Sequence, residues 1–285
     1  MSVADLPPLR EVIAAHGLAA DKRFGQHFLM DLNLTAKIAR LCGDMSEASV
    51  FEVGPGPGGL TRALLCEGAG EVIAVEKDPR FLPALAEIDQ ASGGRLSVVQ
   101  ADALKMNEFD TKTAFSTRML ASNLPYNVGT ALLIKWLQSD PLWWRRLVLM
   151  FQKEVAERVV ARPGDAAYGR LAILTSAVAN ARYAFTLPAR AFTPPPKVDS
   201  AVVVLDPLPD AERFQDLEAL SLVTESAFGQ RRKTLRKSLG MAAGKAGVKS
   251  EALLEAAGID GAARAETIVP RGFFDLAKAW RAARG

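Results

Sequence analysis

The apolar positions of the chain fall into two alternating rhythms across residues 31–152. Short runs rich in Val, Ile and Leu occur in "SVFEV" (49–53), "EVIAVEKD" (71–78), "LSVVQAD" (96–102), "RMLASNLP" (118–125) and "RRLVLMFQ" (145–152). Such near-continuous runs read as strands buried on both faces. Between them lie helical stretches: "GLTRALLCEG" (59–68), stopped by Gly68, "PRFLPALAEID" (79–89), opened by Pro79, and "GTALLIKWLQ" (129–138). Ahead of the first strand, "DLNLTAKIARLC" (31–42) puts Leu34, Ile38 and Leu41 on one face, with Asp31 or Asn33 as cap. Strands alternating with helices predict an α/β fold, a mainly parallel, doubly wound, Rossmann-like sheet.

The rhythm then changes. Residues 153–162 and 169–180 read as helices, followed by strands "RYAFTLP" (182–188) and "SAVVVLDP" (200–207), joined by the proline-rich "AFTPPPKVD" (191–199). Their hairpin-like spacing predicts an antiparallel edge on the sheet. Pro207 and Pro209 mark a boundary. Beyond it the chain is Ala-rich, with short helices expected near 213–228, 233–240, 251–257 and 275–283. The expected domains are therefore 1–206, carrying the ligand site, and a small all-helical domain, 207–285. The first twenty residues read as weakly ordered or helical.

Composition narrows the class. A chain of 285 residues with 49% hydrophobic and 24% charged residues is long enough for two domains. No apolar run approaches the roughly 18 residues of a membrane span. The start, "MSVADLPPLREVIAA", lacks the basic-then-apolar order of a signal peptide, so a cytoplasmic location is expected. Cys42 and Cys66 form no C-x-x-C pair and are expected as buried free thiols. With His16 and His27 the only histidines, no metal site is expected. The net charge is only +3, but basic residues cluster at Lys22–Arg23, at Arg145–Arg146 and in "FGQRRKTLRK" (228–237), which holds Arg231, Arg232, Lys233 and Arg236. Three clusters on one modest chain suggest a polyanionic partner.

In a doubly wound sheet, ligands sit beyond the carboxyl ends of the strands. The first strand ends in "VGPGPGG", where Gly54, Gly56 and Gly59 match G-x-G-x-x-G. That pattern suits a nicotinamide dinucleotide, whose pyrophosphate needs backbone N–H groups. Pro55 and Pro57 have none to give, and the carboxylate of Glu52 would repel a phosphate. Thin, stiff and acidic, the loop better suits a cationic or zwitterionic ligand. Glu76 ends the second strand, placed to accept from ribose hydroxyls, and Asp102 ends the third, placed to accept from an adenine amine.

The fourth strand ends in "SNLPYNVGT", similar to the [DNS]-P-P-[YF] motif of amino-group methyltransferases. An exocyclic adenine amine is a poor nucleophile because its lone pair is delocalised into the ring. The side-chain oxygen of Asn123 and the carbonyl of Leu124 or Pro125 can each accept one N–H, biasing the nitrogen toward a tetrahedral shape. Tyr126 can stack on the base, a contact worth roughly 1–3 kcal/mol.

Together these segments resemble the ribosomal RNA adenine N6,N6-dimethyltransferases, most closely their bacterial small-subunit (16S) branch. The similarity runs through "KRFGQHFLMD" (22–31), the glycine loop, "VIAVEKD" (72–78), "QADAL" (100–104), "ASNLPYNVGTALL" (121–133), "FQKEVAERVVARPGDAAYGRLAIL" (151–174), "AFTPPPKVDSAVV" (191–203) and "FGQRRKTLRKSL" (228–239). It implies S-adenosylmethionine over residues 54–58, with S-adenosylhomocysteine as product and no metal. His27 and Leu29 would contact its methionine end, Glu76 the ribose, Asp102 the adenine, and Asn123 both cofactor and target. Phe192 would sandwich the flipped base against Tyr126. His27 departs from the family's commonest residue there, Asn. The resemblance further implies a monomer that dimethylates two adjacent adenines in the 3′-terminal hairpin of small-subunit rRNA, within an immature 30S subunit. The RNA surface would combine Lys22, Arg23, Arg145, Arg146, Arg231, Arg232, Lys233 and Arg236. Rival readings are a large-subunit rRNA methyltransferase of the macrolide-resistance type, an assembly factor whose binding is what matters, and a nicotinamide oxidoreductase.

Overall fold

The computed structural model of the chain describes residues 2–20 and 26–285, so Lys22 and Arg23 lie outside the described residues. Contacts divide the chain into two compact units, Met1–Ala156 with Arg182–Asp206, and Glu157–Ala181 with Pro207–Gly285.

The first unit is built on a seven-stranded sheet of order β4-β3-β2-β5-β6-β9-β7. Its strands are β2 (Ala48–Val53), β3 (Glu71–Glu76), β4 (Leu96–Gln100), β5 (Thr117–Asn123), β6 (Arg146–Gln152), β7 (Ala179–Leu187) and β9 (Ser200–Pro207). β2 pairs in parallel with β3 and β5, as β3 does with β4 and β5 with β6. β9 runs antiparallel to β6, with Gln152 opposite Ser200, which is the antiparallel edge the sequence predicts. All six residues of β2 are buried, Glu52 included, as a central strand covered on both faces requires. The order reverses between β2 and β5, creating the crevice where doubly wound sheets bind ligands.

Helices α2 (Leu32–Arg40), α3 (Gly59–Cys66), α4 (Leu82–Ser92) and α5 (Gly129–Leu137) accompany these strands, and α6 (Lys153–Val160) follows β6. Asp31 caps α2 by accepting from Asn33 N and Leu34 N. A two-stranded ribbon, β1 (Phe28–Leu29) with β8 (Phe192–Thr193), had no signal in the apolar pattern because it is too short to show a period. The opening residues form a 3-10 turn (Val3–Asp5) and α1 (Leu9–Ala15), with Val3, Leu9 and Val12 buried. They are tied down where the Arg62 guanidinium donates to the Pro7 carbonyl (2.6 Å) and His16 meets Glu87 (2.8 Å).

The second unit resumes at Pro207, where the prolines mark a boundary, but it also takes in residues 157–181, which the sequence reading leaves in the first domain. The cause is specific bonding of α7 (Arg170–Val178) and the turn before it. The Ala177 and Val178 carbonyls accept from Phe214 N and Leu208 N, and the Tyr168 hydroxyl donates to the Ile268 carbonyl. α8 (Leu217–Gly229), α9 (Leu235–Ser238), α10 (Gly240–Lys245), α11 (Ser250–Ala256) and α12 (Pro270–Arg284) complete it. α12 buries Phe273, Leu276 and Trp280, whose indole N–H donates to the Ala242 carbonyl at 2.7 Å. Of the two thiols, Cys42 is buried, which pushes its pKa up to about 12, whereas Cys66 at the end of α3 is exposed, against expectation. Among the described residues no helix is long and apolar enough to cross a membrane.

Candidate active site

A cavity of about 170 Å³ opens in the first unit where β2, β3, β4 and β5 end. Its floor is the glycine loop. Gly54, Gly56 and Gly58 hold φ of +69°, +53° and +86°, left-handed values that side chains disfavour, and Pro55 and Pro57 alternate with them. A Cβ on Gly54 would stand 3.3 Å from Pro125, so the two strand-end turns touch with only hydrogen atoms between them.

Three carboxyl groups ring the loop, in different states. Glu52 is 1% exposed and accepts from the Thr61 hydroxyl at 2.6 Å. Burial pushes its pKa up to about 8, the Thr61 bond opposes the shift, and the nearby charge of Glu76 adds to it. At neutral pH Glu52 is therefore mostly protonated, which weakens the charge argument drawn from it in the sequence. Glu76 accepts from Gly56 N (3.0 Å) and Asp78 N (2.8 Å), so it anchors the glycine loop. Burial raises its pKa and those backbone bonds oppose the shift. A carboxylate has about four acceptor positions, so lone pairs remain for a ligand hydroxyl. Asp102 lies at the rim, where Lys77 donates to it at 3.0 Å and holds its pKa below the usual range.

The opposite wall is Asn123, Leu124, Pro125 and Tyr126, all lining the cavity. Asn123 Nδ2 donates to the His27 carbonyl at 3.1 Å, which fixes the amide and leaves Oδ1 as its acceptor. Pro125 O accepts from Val128 N and Gly129 N at the start of α5. Leu29 and His27 line the cavity from the β1 side. His27 Nδ1 donates to the Pro194 carbonyl at 2.7 Å, since a carbonyl can only accept. Its ring stands 5.2 Å from that of Tyr126, tilted by 31°.

The structure brings His27, Leu29, Gly54, Gly56, Glu76, Asp102 and residues 123–126 to one cavity. Phe192 is not among its lining residues: it is 2% exposed, pairs with Leu29 in the small ribbon and packs into the core. The ring found against Tyr126 is that of His27. Arg145 and Arg146 stand at the amino end of β6, whereas the cavity lies at the carboxyl ends, about 20 Å away along a seven-residue strand. Arg146 also bonds Asp206 at 2.6 Å and reaches the carbonyls of Leu41 and Cys42, so its charge is used within the fold. In the second unit, Arg231, Arg232 and Lys233 are exposed between α8 and α9, and Arg236 is exposed within α9.

Sequence reasoning missed four residues. Leu9 lines the cavity from α1, and Lys77 pairs across its rim. Lys135 donates to the carbonyls of Ala103 and Met106 and to Glu108, holding the turn that carries Asp102. Ser200 bonds the Tyr126 hydroxyl. Only Lys77, which adjoins Glu76, carried a local signal; the others meet the site from distant segments.

The chain is similar to known proteins over nearly its whole length. The family model for ribosomal RNA adenine dimethylase matches residues 17–281. A ribosomal RNA small subunit methyltransferase A from Maricaulis maris (strain MCS10) is 64% identical over 283 residues, 99% of this chain and 98% of that protein. Among solved structures, a dimethyladenosine transferase from Plasmodium falciparum aligns with a TM-score of 0.72 at 26% identity, covering 88% of this chain and 96% of its own. The 23S rRNA methyltransferase ErmE aligns with a TM-score of 0.62 at 27% identity, covering 89% and 99%.

Proposed function

The chain belongs to the ribosomal RNA adenine dimethylase family, and from that premise we propose that it transfers methyl groups from S-adenosylmethionine to the N6 amines of two adjacent adenosines in the 3′-terminal hairpin of small-subunit rRNA. The observation that carries the reading is one cavity in which the Asn123–Tyr126 turn faces the glycine loop, with Gly54 pressed against Pro125. A relative named for the small subunit, at 64% identity, favours that target over the large-subunit target named for ErmE at 27%.

The residues present fit S-adenosylmethionine. Left-handed glycines keep the floor thin, Glu76 has acceptor positions left for ribose hydroxyls, and Asp102 can accept from an adenine amine. Leu29 supplies apolar cover. The neutral His27 ring spends its one N–H on Pro194, so only the protonated ring has a second to offer a carboxylate. When bound, this cofactor supplies an electrophilic sulfonium methyl and leaves as S-adenosylhomocysteine.

The chain's own part is positioning. Asn123 Oδ1 accepts one N–H of the target amine. Pro125 O is committed to the start of α5, so the Leu124 carbonyl is the second acceptor. Two acceptors draw the nitrogen lone pair out of conjugation, and Tyr126 holds the base by stacking. The nitrogen becomes acidic on methylation and releases its proton to water. RNA affinity is assigned to the exposed Arg231, Arg232, Lys233 and Arg236, with the immature 30S subunit as substrate and the protein acting as a cytoplasmic monomer.

The test is transfer of labelled methyl from S-adenosylmethionine to small subunits lacking the modification, followed by mapping. Two dimethylated adjacent adenines in the 3′ hairpin are expected. No transfer, or transfer to large-subunit rRNA alone, would overturn the reading.

A further inference from the structure

Tyr126 is gripped through the segment that joins β8 to β9. Its hydroxyl lies 2.5 Å from Ser200 Oγ, and its ring rests against His27, which is itself tied to Pro194. Ser200 is fully buried at the first position of β9, opposite Gln152 of β6, so its backbone is fixed by the sheet. Tyr126 sits in the turn between β5 and α5, is only partly buried and lines the cavity. The hydroxyl oxygen lies on the axis about which the ring turns, so its bond to Ser200 fixes where the ring lies, while the His27 ring beside it restrains rotation of the plane; untethered, the ring can swing about Cα–Cβ.

We propose that Ser200 is a positioning residue for methyl transfer, its hydroxyl holding the Tyr126 ring in the place where the extruded adenine stacks on it. This rests on the adenine-methyltransferase reading of the site. Stacking needs the two rings in contact, so a ring that swings about Cα–Cβ is in place only part of the time. The loss then falls on the productive fraction of the RNA complex. The seat of the cofactor is untouched, because Ser200 does not line the cavity. The proline-rich segment and the first residue of β9 thereby supply two anchors, Pro194 through His27 and Ser200 through Tyr126, although Phe192 faces the core.

The experiment compares S200A, Y126F and the double variant on unmethylated small subunits. Each single variant is expected to lower the methylation rate about fivefold, the equivalent of one lost hydrogen bond. The double variant should be no slower than either single one, since both remove the same bond. Affinity for S-adenosylmethionine should stay at its wild-type value, and the thermal midpoint should fall by only about 2–4 °C per single variant, as the loss of one buried hydrogen bond requires. Emission from hairpin RNA carrying 2-aminopurine at the target position, bound without cofactor, should be brighter with S200A than with wild type, because the base no longer rests on a fixed ring. A wild-type rate for Y126F, losses that multiply in the double variant, or unchanged 2-aminopurine emission would each overturn the proposal. A wild-type protein that methylates no small subunit fails the underlying reading itself and takes this proposal with it.

Discussion

Replacing Lys135 with Met tests whether a bond network behind the cavity shapes its rim. Lys135 Nζ donates to Ala103 O at 2.6 Å, to Met106 O and to Glu108 Oε2 at 2.7 Å. Glu108 is 1% exposed, and its other oxygen accepts from the Trp136 indole at 2.9 Å. The methionine would fill the aliphatic path but leave the carboxylate buried with a single neutral donor. Breaking a buried pair from one side costs about 3–5 kcal/mol, and the partial exposure of Lys135 points to the lower figure, about 3 kcal/mol. The two carbonyls lie in the turn where Lys105 N and Met106 N donate to Asp102 O, so that turn loosens as well. S-adenosylmethionine should bind about fivefold more weakly, or about 1 kcal/mol. Urea unfolding and titration calorimetry read the two effects separately. Adding E108Q should return about 2 kcal/mol of stability, because an amide is cheaper to bury than an unpaired charge. Cofactor affinity should stay low, since the carbonyls remain unheld. K135M within about 0.5 kcal/mol of wild type, or a double variant no more stable than K135M, would refute the reasoning.

Three further outcomes are expected. Glu52 keeps its proton in the folded chain up to about pH 8 but releases it near 4.5 when unfolded, so stability falls as pH rises through that window, at up to about 1.4 kcal/mol per unit; E52Q should lose on the order of 3 kcal/mol less than wild type between pH 5 and 8, and parallel urea-unfolding curves would count against this. N123A should lower labelled-methyl transfer by about 10²-fold or more while leaving most of the hairpin affinity in a filter-binding assay, and full activity would remove Asn123 from its role. R146M should cost about 1–2 kcal/mol in denaturant unfolding through loss of the Asp206 pair and the bonds at the end of α2, without changing the salt dependence of RNA binding; a shallower salt slope would restore Arg146 as a phosphate contact.

Much of the catalytic unit could be read from the chain because its signals are local. A strand shows in "VIAVE" because every residue there is buried, and the glycine loop shows because backbone at positive φ admits little else. Asn123 and Tyr126 are legible for the same reason, being neighbours in one turn. The second unit was read less well: α10, which holds two glycines, gave no helical signal. Its share of residues 157–181 depended on bonds such as that between Tyr168 and Ile268.

The sequence by itself determined the order of elements along the chain, the acids at the strand ends and the chemistry of the Asn123 turn. Each is set by residues within a few positions of one another, where backbone preference and hydrophobic period act. Tertiary structure alone decided whether those groups are free to act. It buried Glu52 until its carboxyl holds a proton, committed the Pro125 carbonyl to a helix, spent Arg146 on Asp206 and turned Phe192 into the core. It also brought Ser200 to Tyr126 and Lys135 to the Asp102 turn. Burial and hydrogen bonding depend on which distant segments meet, and no local pattern along the chain encodes that.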